Sequence, residues 1–469
     1  MKFIKKLKIN FYLFIALFLF SILYLPFLES FPYLDGNIDF VQSYHFLKGG
    51  FKEYFNNWTS VHPPFKVFIS SLFFKFLGFN VISYNLIGYF FGLISILYFN
   101  KLAFLIFDSR SAKIATILLA TSPLFLATAI FSLRDFLLTS FLILSLYFYL
   151  VSNYFFYLFF STLSFLSKES GLLLIVCVIL IEFFSFLKNK KNSKFLITLS
   201  GLTIPFLWWF FLKINQKTSW RDWLFSEYAS KGTYYVMIKN LLELKIFNQY
   251  AYQHWLHLFI LNFNWIFWLI FLIGFFWMFI KKYNIFLTFL MNFNQKAKTV
   301  LVIVLLIISY FLTVLCLPTY AIPRYILPIL PFLYLLDSYI IQLFLIKKKR
   351  LFSFFINSGM IVLIFLSLFF SLDPLSLKIW GKIKIFGKKF YALNEHFAGN
   401  DGITYNFQYL YLIKERTKKI LEANNKKDSV VSEDCYWIFP DPRNDFQTIQ
   451  ILKLNGINLD IPCREIKVN

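Results

Sequence analysis

Four clusters of ionisable side chains stand out in this 469-residue chain: Asp35 with Asp39, Glu53, His62 and Lys66; Arg134-Asp135; Lys168-Glu169; and Arg324-Tyr325 within PTYAIPRYILPILP. Each lies at the edge of a strongly apolar run, where an acid or base is costly to hold and is a functional candidate by default. Together they suit one kind of chemistry. A carboxylate can take a proton from a hydroxyl, while Arg and Lys neutralise an anionic leaving group. Each cluster also has a plainer reading taken alone. Asp35 could cap a helix, Asp39 could be a solvated loop acid, and His62 before Pro63-Pro64 could be a turn residue. Arg134-Asp135, Lys168-Glu169 and Arg324 could anchor helix ends at the membrane surface.

The elements that must position these residues are membrane helices. With 59% hydrophobic and 22% aromatic residues and a mean hydropathy of +0.64, the chain is too apolar for a soluble globular protein. The 66 phenylalanines read in part as a compositional bias, so no weight is placed on single Phe positions. The net charge of +23 is carried largely by short Lys/Arg runs between apolar stretches, which orient a membrane chain and argue against a nucleic-acid partner.

Eleven apolar runs approach the ~20 residues needed to cross ~30 Å of hydrocarbon: about 11–28, 81–106, 112–131, 136–151, 153–167, 170–187, 195–213, 257–280, 299–317, 326–346 and 351–372. MKFIKKLK ahead of the first run reads as the cytoplasmic flank of an uncleaved helix. Threading from there keeps Arg110, Lys113, KNKKNSK at 188–194, Lys281-Lys282, Lys296, Lys298 and KKKR at 347–350 inside. A single long helix over 136–167 would move KNKKNSK outside, so a tight hairpin at Ser152-Asn153 is expected instead.

The expected architecture is therefore an all-α polytopic membrane domain over 1–372 and a small extracytoplasmic α+β domain over 373–469. Outer loops fall at 29–80 and 214–256. All four clusters reach the outer face. Within the first loop, Pro64 to Leu77 is too short to span and reads as an interfacial helix with Lys66 and Lys75 snorkelling to water. Cys435 and Cys463 share the outer side and form the one candidate disulfide. Cys177 and Cys316 read as buried small hydrophobes.

Asp35, Gly49-Gly50, His62-Pro63-Pro64 and Leu77-Gly78 resemble the first outer loop of the protein mannosyltransferase and aminoarabinose transferase group, membrane enzymes with the C-type glycosyltransferase fold. Arg134-Asp135 before a leucine-rich helix, Lys168-Glu169-Ser170-Gly171-Leu172, and Arg324-Tyr325 with Pro328 and Pro331 extend the resemblance over about 10–345. The resemblance implies a polyprenyl- or dolichyl-phosphate-linked sugar donor and inversion at the anomeric carbon. It also implies no cofactor and, as in many members, no metal. The acceptor would be a hydroxyl on protein, lipid or glycan outside the plasma membrane.

Carried over by position, Asp35 would be the catalytic base and Asp135 a second essential carboxylate. Lys168, Arg324 and Arg134 would contact the donor phosphate; Asp39, His62, Lys66, Glu169 and Tyr325 would line the cavity. The chain departs from the pattern at Gly36, where an acid usually follows the first aspartate, and at Asn85, where many members have arginine. An oligosaccharyltransferase of the same fold is the nearest alternative, but the tail lacks its Trp-Trp-Asp-Tyr-Gly motif. A transporter of lipid-linked substrate is a second alternative, and a scaffold displaying the tail a third.

Overall fold

A computed structural model describes residues 11–30, 32, 35–56, 62–107, 109–188, 194–214, 239, 241–243, 266–270, 272–274, 276, 294–316, 323–345, 358–366, 384–385, 388–389, 410, 414 and 418. The elements are α1 (Phe11–Tyr24), α2 (Asp35–Asn56), α3 (Phe65–Leu77), α4 (Val81–Ile106), α5 (Ser109–Ala120), α6 (Pro123–Ile130) and α7 (Arg134–Leu150). They continue with α8 (Tyr154–Ser167), α9 (Leu172–Lys188), α10 (Lys194–Leu199), α11 (Thr203–Ile214), α12 (Gln295–Leu315) and α13 (Leu330–Leu345). A two-residue antiparallel pair, β1 (Lys384–Ile385) with β2 (Lys388–Lys389), is described from the tail.

The chain is an integral membrane protein of helices. Among the described residues, four helical stretches are long and apolar enough to cross a bilayer: 81–106, 169–188, 194–211 and 295–315. The pair α5–α6 makes a fifth if read as one bent span. Most of the expected runs 257–280 and 351–372, most of the second outer loop and of the tail, and the Cys435–Cys463 pair lie outside the described residues. Cys177 and Cys316 are buried thiols, neither of them in a disulfide.

α7 is the axial helix, buried from Arg134 to Leu146 and again at Phe148 and Tyr149. It leads into α8 through a turn in which Ser152 takes a positive φ of 57° and the Asn153 side chain accepts from the Phe156 amide. The tight hairpin read from charge placement is what forms. α5 and α6 meet at 48°, because Pro123 cannot continue the hydrogen-bond ladder and Ser122 starts a new helix as its N-cap.

α3 is 13 residues long, about 20 Å at 1.5 Å per residue. It is too short to span and packs on α2, with Ser71 Oγ donating to the Ser43 carbonyl at 2.8 Å. Lys75 is exposed, as expected. Lys66 corrects its expectation: it is fully buried and points inward, not to water. At the start of α1's following turn, Pro26 O accepts from Lys414 Nζ at 2.6 Å, and Leu410 is buried in the main core. That segment of the tail therefore sits at the same end of the bundle as the first loop.

At the opposite end of α7, Tyr149 OH donates to Glu182 Oε1 at 2.8 Å, and Lys298 Nζ donates to Glu182 Oε2 at 2.8 Å. Both charges are almost wholly buried, so removing one strands the other in a medium that solvates it poorly. Glu182→Gln or Lys298→Met alone should therefore cost about 3 to 5 kcal/mol. The double variant should recover part of the loss when thermal unfolding is followed in detergent.

Candidate functional site

Arg134 and Asp135 begin α7 after an extended Leu133 and a left-handed Ser132 (φ 48°). That turn is closed by backbone bonds from Ser132 N to Ala129 O at 2.9 Å and from Leu133 N to Thr128 O at 3.0 Å. The two side chains diverge to different partners. Arg134 Nε donates to both oxygens of Asp39 at 2.9 and 3.0 Å, with a second contact from Nη2. Asp135 Oδ1 accepts from Lys168 Nζ at 2.6 Å, and its Oδ2 lies 3.5 Å from Arg324 Nε. One carboxylate thus serves two cations, leaving this trio with net positive charge.

Lys168 arrives in extended conformation between α8 and a 3-10 turn at Glu169–Gly171. The turn folds so closely over α8 that a Cβ on Gly171 would meet Ser164 C and Phe165 N at 2.6 Å. Only glycine fits there. Ser170 Oγ is held by Tyr310 OH at 2.7 Å, which ties the turn to α12. Arg324 stands on the 3-10 helix Pro323–Ile326 before α13, and the Tyr325 ring lies 4.6 Å beneath Lys168 Nζ. His62 Nδ1 and Glu169 Oε2 are 2.8 Å apart, joining the first loop to the α8–α9 turn. His62, Glu169 and Lys168 keep partial exposure and Tyr325 is intermediate, so these four form the open side of the cluster.

Both departures from the family pattern have local causes. A Cβ on Gly36 would come within 2.8 Å of Phe131 O, because α2 starts hard against the turn that precedes Arg134. An acid there has no room, and Asp39, one turn along, receives the arginine instead. Asn85 Nδ2 donates to the carbonyls of Leu28 and Ser30 at 2.8 Å each, holding the chain as it leaves α1.

Of the residues singled out in the sequence, Asp39, His62, Arg134, Asp135, Lys168, Glu169, Arg324 and Tyr325 come together. Asp35 opens α2 next to Gly36, but its side chain lies outside the described residues. Glu53 does not join them; it faces His45 at 3.5 Å on the same helix. Lys66 does not line an open cavity. Its Nζ donates to Ser132 Oγ and sits 4.2 Å from the Tyr84 ring centroid. Ser132 and Tyr84 were invisible as site residues in the sequence, since a serine and a tyrosine in an apolar chain carry no spacing signal.

Beside the cluster, Phe51, Phe55, Pro64, Leu166, Leu207 and Trp208 line an open apolar groove of about 420 Å³. It lies between α2 beyond the Gly50 kink (φ 61°) and α11. Pro64 and Leu166 are each two residues along the chain from His62 and Lys168.

Burial lowers the Lys66 ammonium to about 7; Asp39 draws it upward against this, and Arg134 pushes it further down. Between that value and the ordinary 10.5, the unfolded chain holds a proton that the folded one has lost, so stability rises with pH across this window. Thermal midpoints in detergent should therefore climb from pH 7 to pH 10 by more in the unsubstituted protein than in Lys66→Met, whose remaining pH dependence comes from other groups.

Residues 61–209 match the profile of the family described as dolichyl-phosphate-mannose-protein mannosyltransferase. No curated protein matches the chain as a sequence. Among solved structures, ArnT from Cupriavidus metallidurans bound to undecaprenyl phosphate aligns at TM-score 0.50 and 12% identity, covering 96% of this chain and 74% of that one. The oligosaccharyltransferase AglB from Archaeoglobus fulgidus, in complex with an inhibitory peptide and a dolichol phosphate, aligns at TM-score 0.47 and 13% identity over 77% of this chain and 54% of that one. The profile match spans His62-Pro63-Pro64, Arg134-Asp135 and Lys168-Glu169. The resemblance read from these motifs therefore stands: over 61–209 the chain carries the protein mannosyltransferase pattern, on the fold of the C-type membrane glycosyltransferases.

Proposed function

We propose that the protein moves one sugar from a polyprenyl- or dolichyl-phosphate carrier to an acceptor hydroxyl on the outer face of the plasma membrane, with inversion. The observation that carries this reading is the meeting, at one end of the bundle, of Asp135 with Lys168 and Arg324 beside the Asp39–Arg134 pair. In a single displacement the acceptor oxygen bonds to the anomeric carbon as the bond from that carbon to the phosphate oxygen breaks. The acceptor proton goes to a carboxylate, and the departing lipid phosphate gains a full negative charge.

Each part has a candidate. Asp35, at the head of α2, is the base by analogy with the family, with Asp39 as the alternative acid one turn on. Because both oxygens of Asp39 already accept from Arg134 in a buried pair, Asp35 is taken as the base. Lys168 and Arg324 meet the leaving phosphate, and Asp135 holds both in place while keeping their joint charge positive. The apolar groove beside them offers a seat for the prenyl chain within the membrane, so the amphipathic donor is matched by an amphipathic site. No cofactor enters this scheme.

The test is transfer by the purified protein from a set of polyprenyl-phosphate sugars, with product glycans read by mass spectrometry. Asp35→Asn and Asp135→Asn should each lower kcat by roughly 10²-fold or more. Lys168→Met and Arg324→Met should weaken binding of the free polyprenyl phosphate. Full turnover in both Asn variants, or transfer only from a pyrophosphate-linked oligosaccharide, would contradict the reading.

A further inference from the structure

Lys66 sits at the centre of a closed ring of contacts that the sequence did not suggest. Its Nζ donates to Ser132 Oγ and lies over the Tyr84 ring. Tyr84 OH donates in turn to the Gly36 carbonyl at 3.0 Å. Gly36 rests against Phe131 O, next to Ser132 in the chain. The ring thus runs from α3 to the turn before α7, to the head of α2, to α4, and back to α3. Its members flank both proposed carboxylates: Gly36 follows Asp35, and Ser132 is three residues before Asp135.

A buried lysine that only filled space would be a poor choice, since desolvating an ammonium is costly and an apolar residue would pack there without the penalty. Here Nζ has one hydrogen-bond acceptor, Ser132 Oγ, and one π face, the Tyr84 ring. Ser132 is a non-glycine residue in the left-handed region, a conformation that costs of order 1 kcal/mol or more and persists only when its surroundings hold it. The Lys66 contact is one such hold. The charged groups around it are Asp39 on α2 and Arg134 on α7.

We infer that Lys66 is a positioning residue: its terminal nitrogen clamps the Ser132 turn and the Tyr84 ring, and so sets the head of α2 and the start of α7 at the separation that transfer requires, without touching donor or phosphate. This rests on the transfer reaction proposed above. It differs from a phosphate-binding role, because an amino group buried beneath the turn and engaged by Ser132 and Tyr84 does not present itself to a ligand in the cavity.

The test compares Lys66→Met, Ser132→Ala and Tyr84→Phe in the full-length protein in detergent. All three should lower kcat, by about tenfold or more for Lys66→Met, with the KM for the donor and the Kd for undecaprenyl phosphate within about twofold of the unsubstituted protein. Lys66→Met combined with Ser132→Ala should be no slower than Lys66→Met alone, as expected of residues acting as one unit. Independently of turnover, backbone hydrogen exchange should quicken over 36–40 and 131–135 in both Lys66→Met and Ser132→Ala. A Lys66→Met protein that binds undecaprenyl phosphate tenfold or more weakly, while Ser132→Ala and Tyr84→Phe behave normally, would overturn the inference. So would unchanged exchange in both variants. Quickened exchange in both variants, with no sugar transferred by the unsubstituted protein, would support the clamp and contradict the reading of function.

Discussion

A carboxylate that leaves water for a helix bundle in lipid has to find a cation, and Asp39 and Asp135 find theirs on other elements. Asp39 on α2 takes Arg134 from α7. Asp135, the next residue on α7, takes Lys168 from the α8–α9 turn and approaches Arg324 from the turn before α13. These few pairings bring together parts of the chain almost three hundred residues apart. If they were absent, the loop-bearing ends of the helices would carry mutually repelling charges in a medium that does not screen them. The site and the fold at this end are therefore one structure.

The pairing also explains what kind of ligand the site can receive. Asp135 is shared by two cations, so within that trio a positive charge is left to attract an anion. The partial exposure of Lys168, His62 and Tyr325 fixes the direction of approach. The apolar groove lined by Pro64 and Leu166 is the part of the proposed site that would take an apolar tail. A soluble anion would leave that groove exposed. His62, bonded to Glu169, secures the first loop at the junction between the two environments.

Much of this was legible before the fold. Charge placement in short loops distinguished the α7–α8 hairpin from one long helix, and shortness together with Lys66 and Lys75 marked α3 as a helix that does not span. Arg134, Asp135, Lys168 and Arg324 stood out because ionisable residues flanking apolar runs are rare enough to be informative. What the sequence concealed was direction. Lys66 on a short amphipathic helix looked like a snorkelling side chain, because periodicity says which face a residue occupies but not whether a serine hydroxyl awaits it inside. Gly36 looked like a missing acid; its reason is the Phe131 carbonyl pressed against it, a tertiary contact with no local signature. Asn85 looked like a missing arginine, yet its amide holds two carbonyls at the exit of α1.

The central claim is that one pocket holds both carboxylates and the carrier phosphate. Cryo-electron microscopy of the protein with undecaprenyl phosphate bound tests it most directly. The account predicts phosphate density bridging Lys168 and Arg324, the prenyl chain leaving along the groove past Leu166 and Trp208, and the carboxyl groups of Asp35 and Asp135 facing the same cavity. A phosphate bound elsewhere, or an Asp35 carboxyl separated from Asp135 by packed side chains, would contradict it.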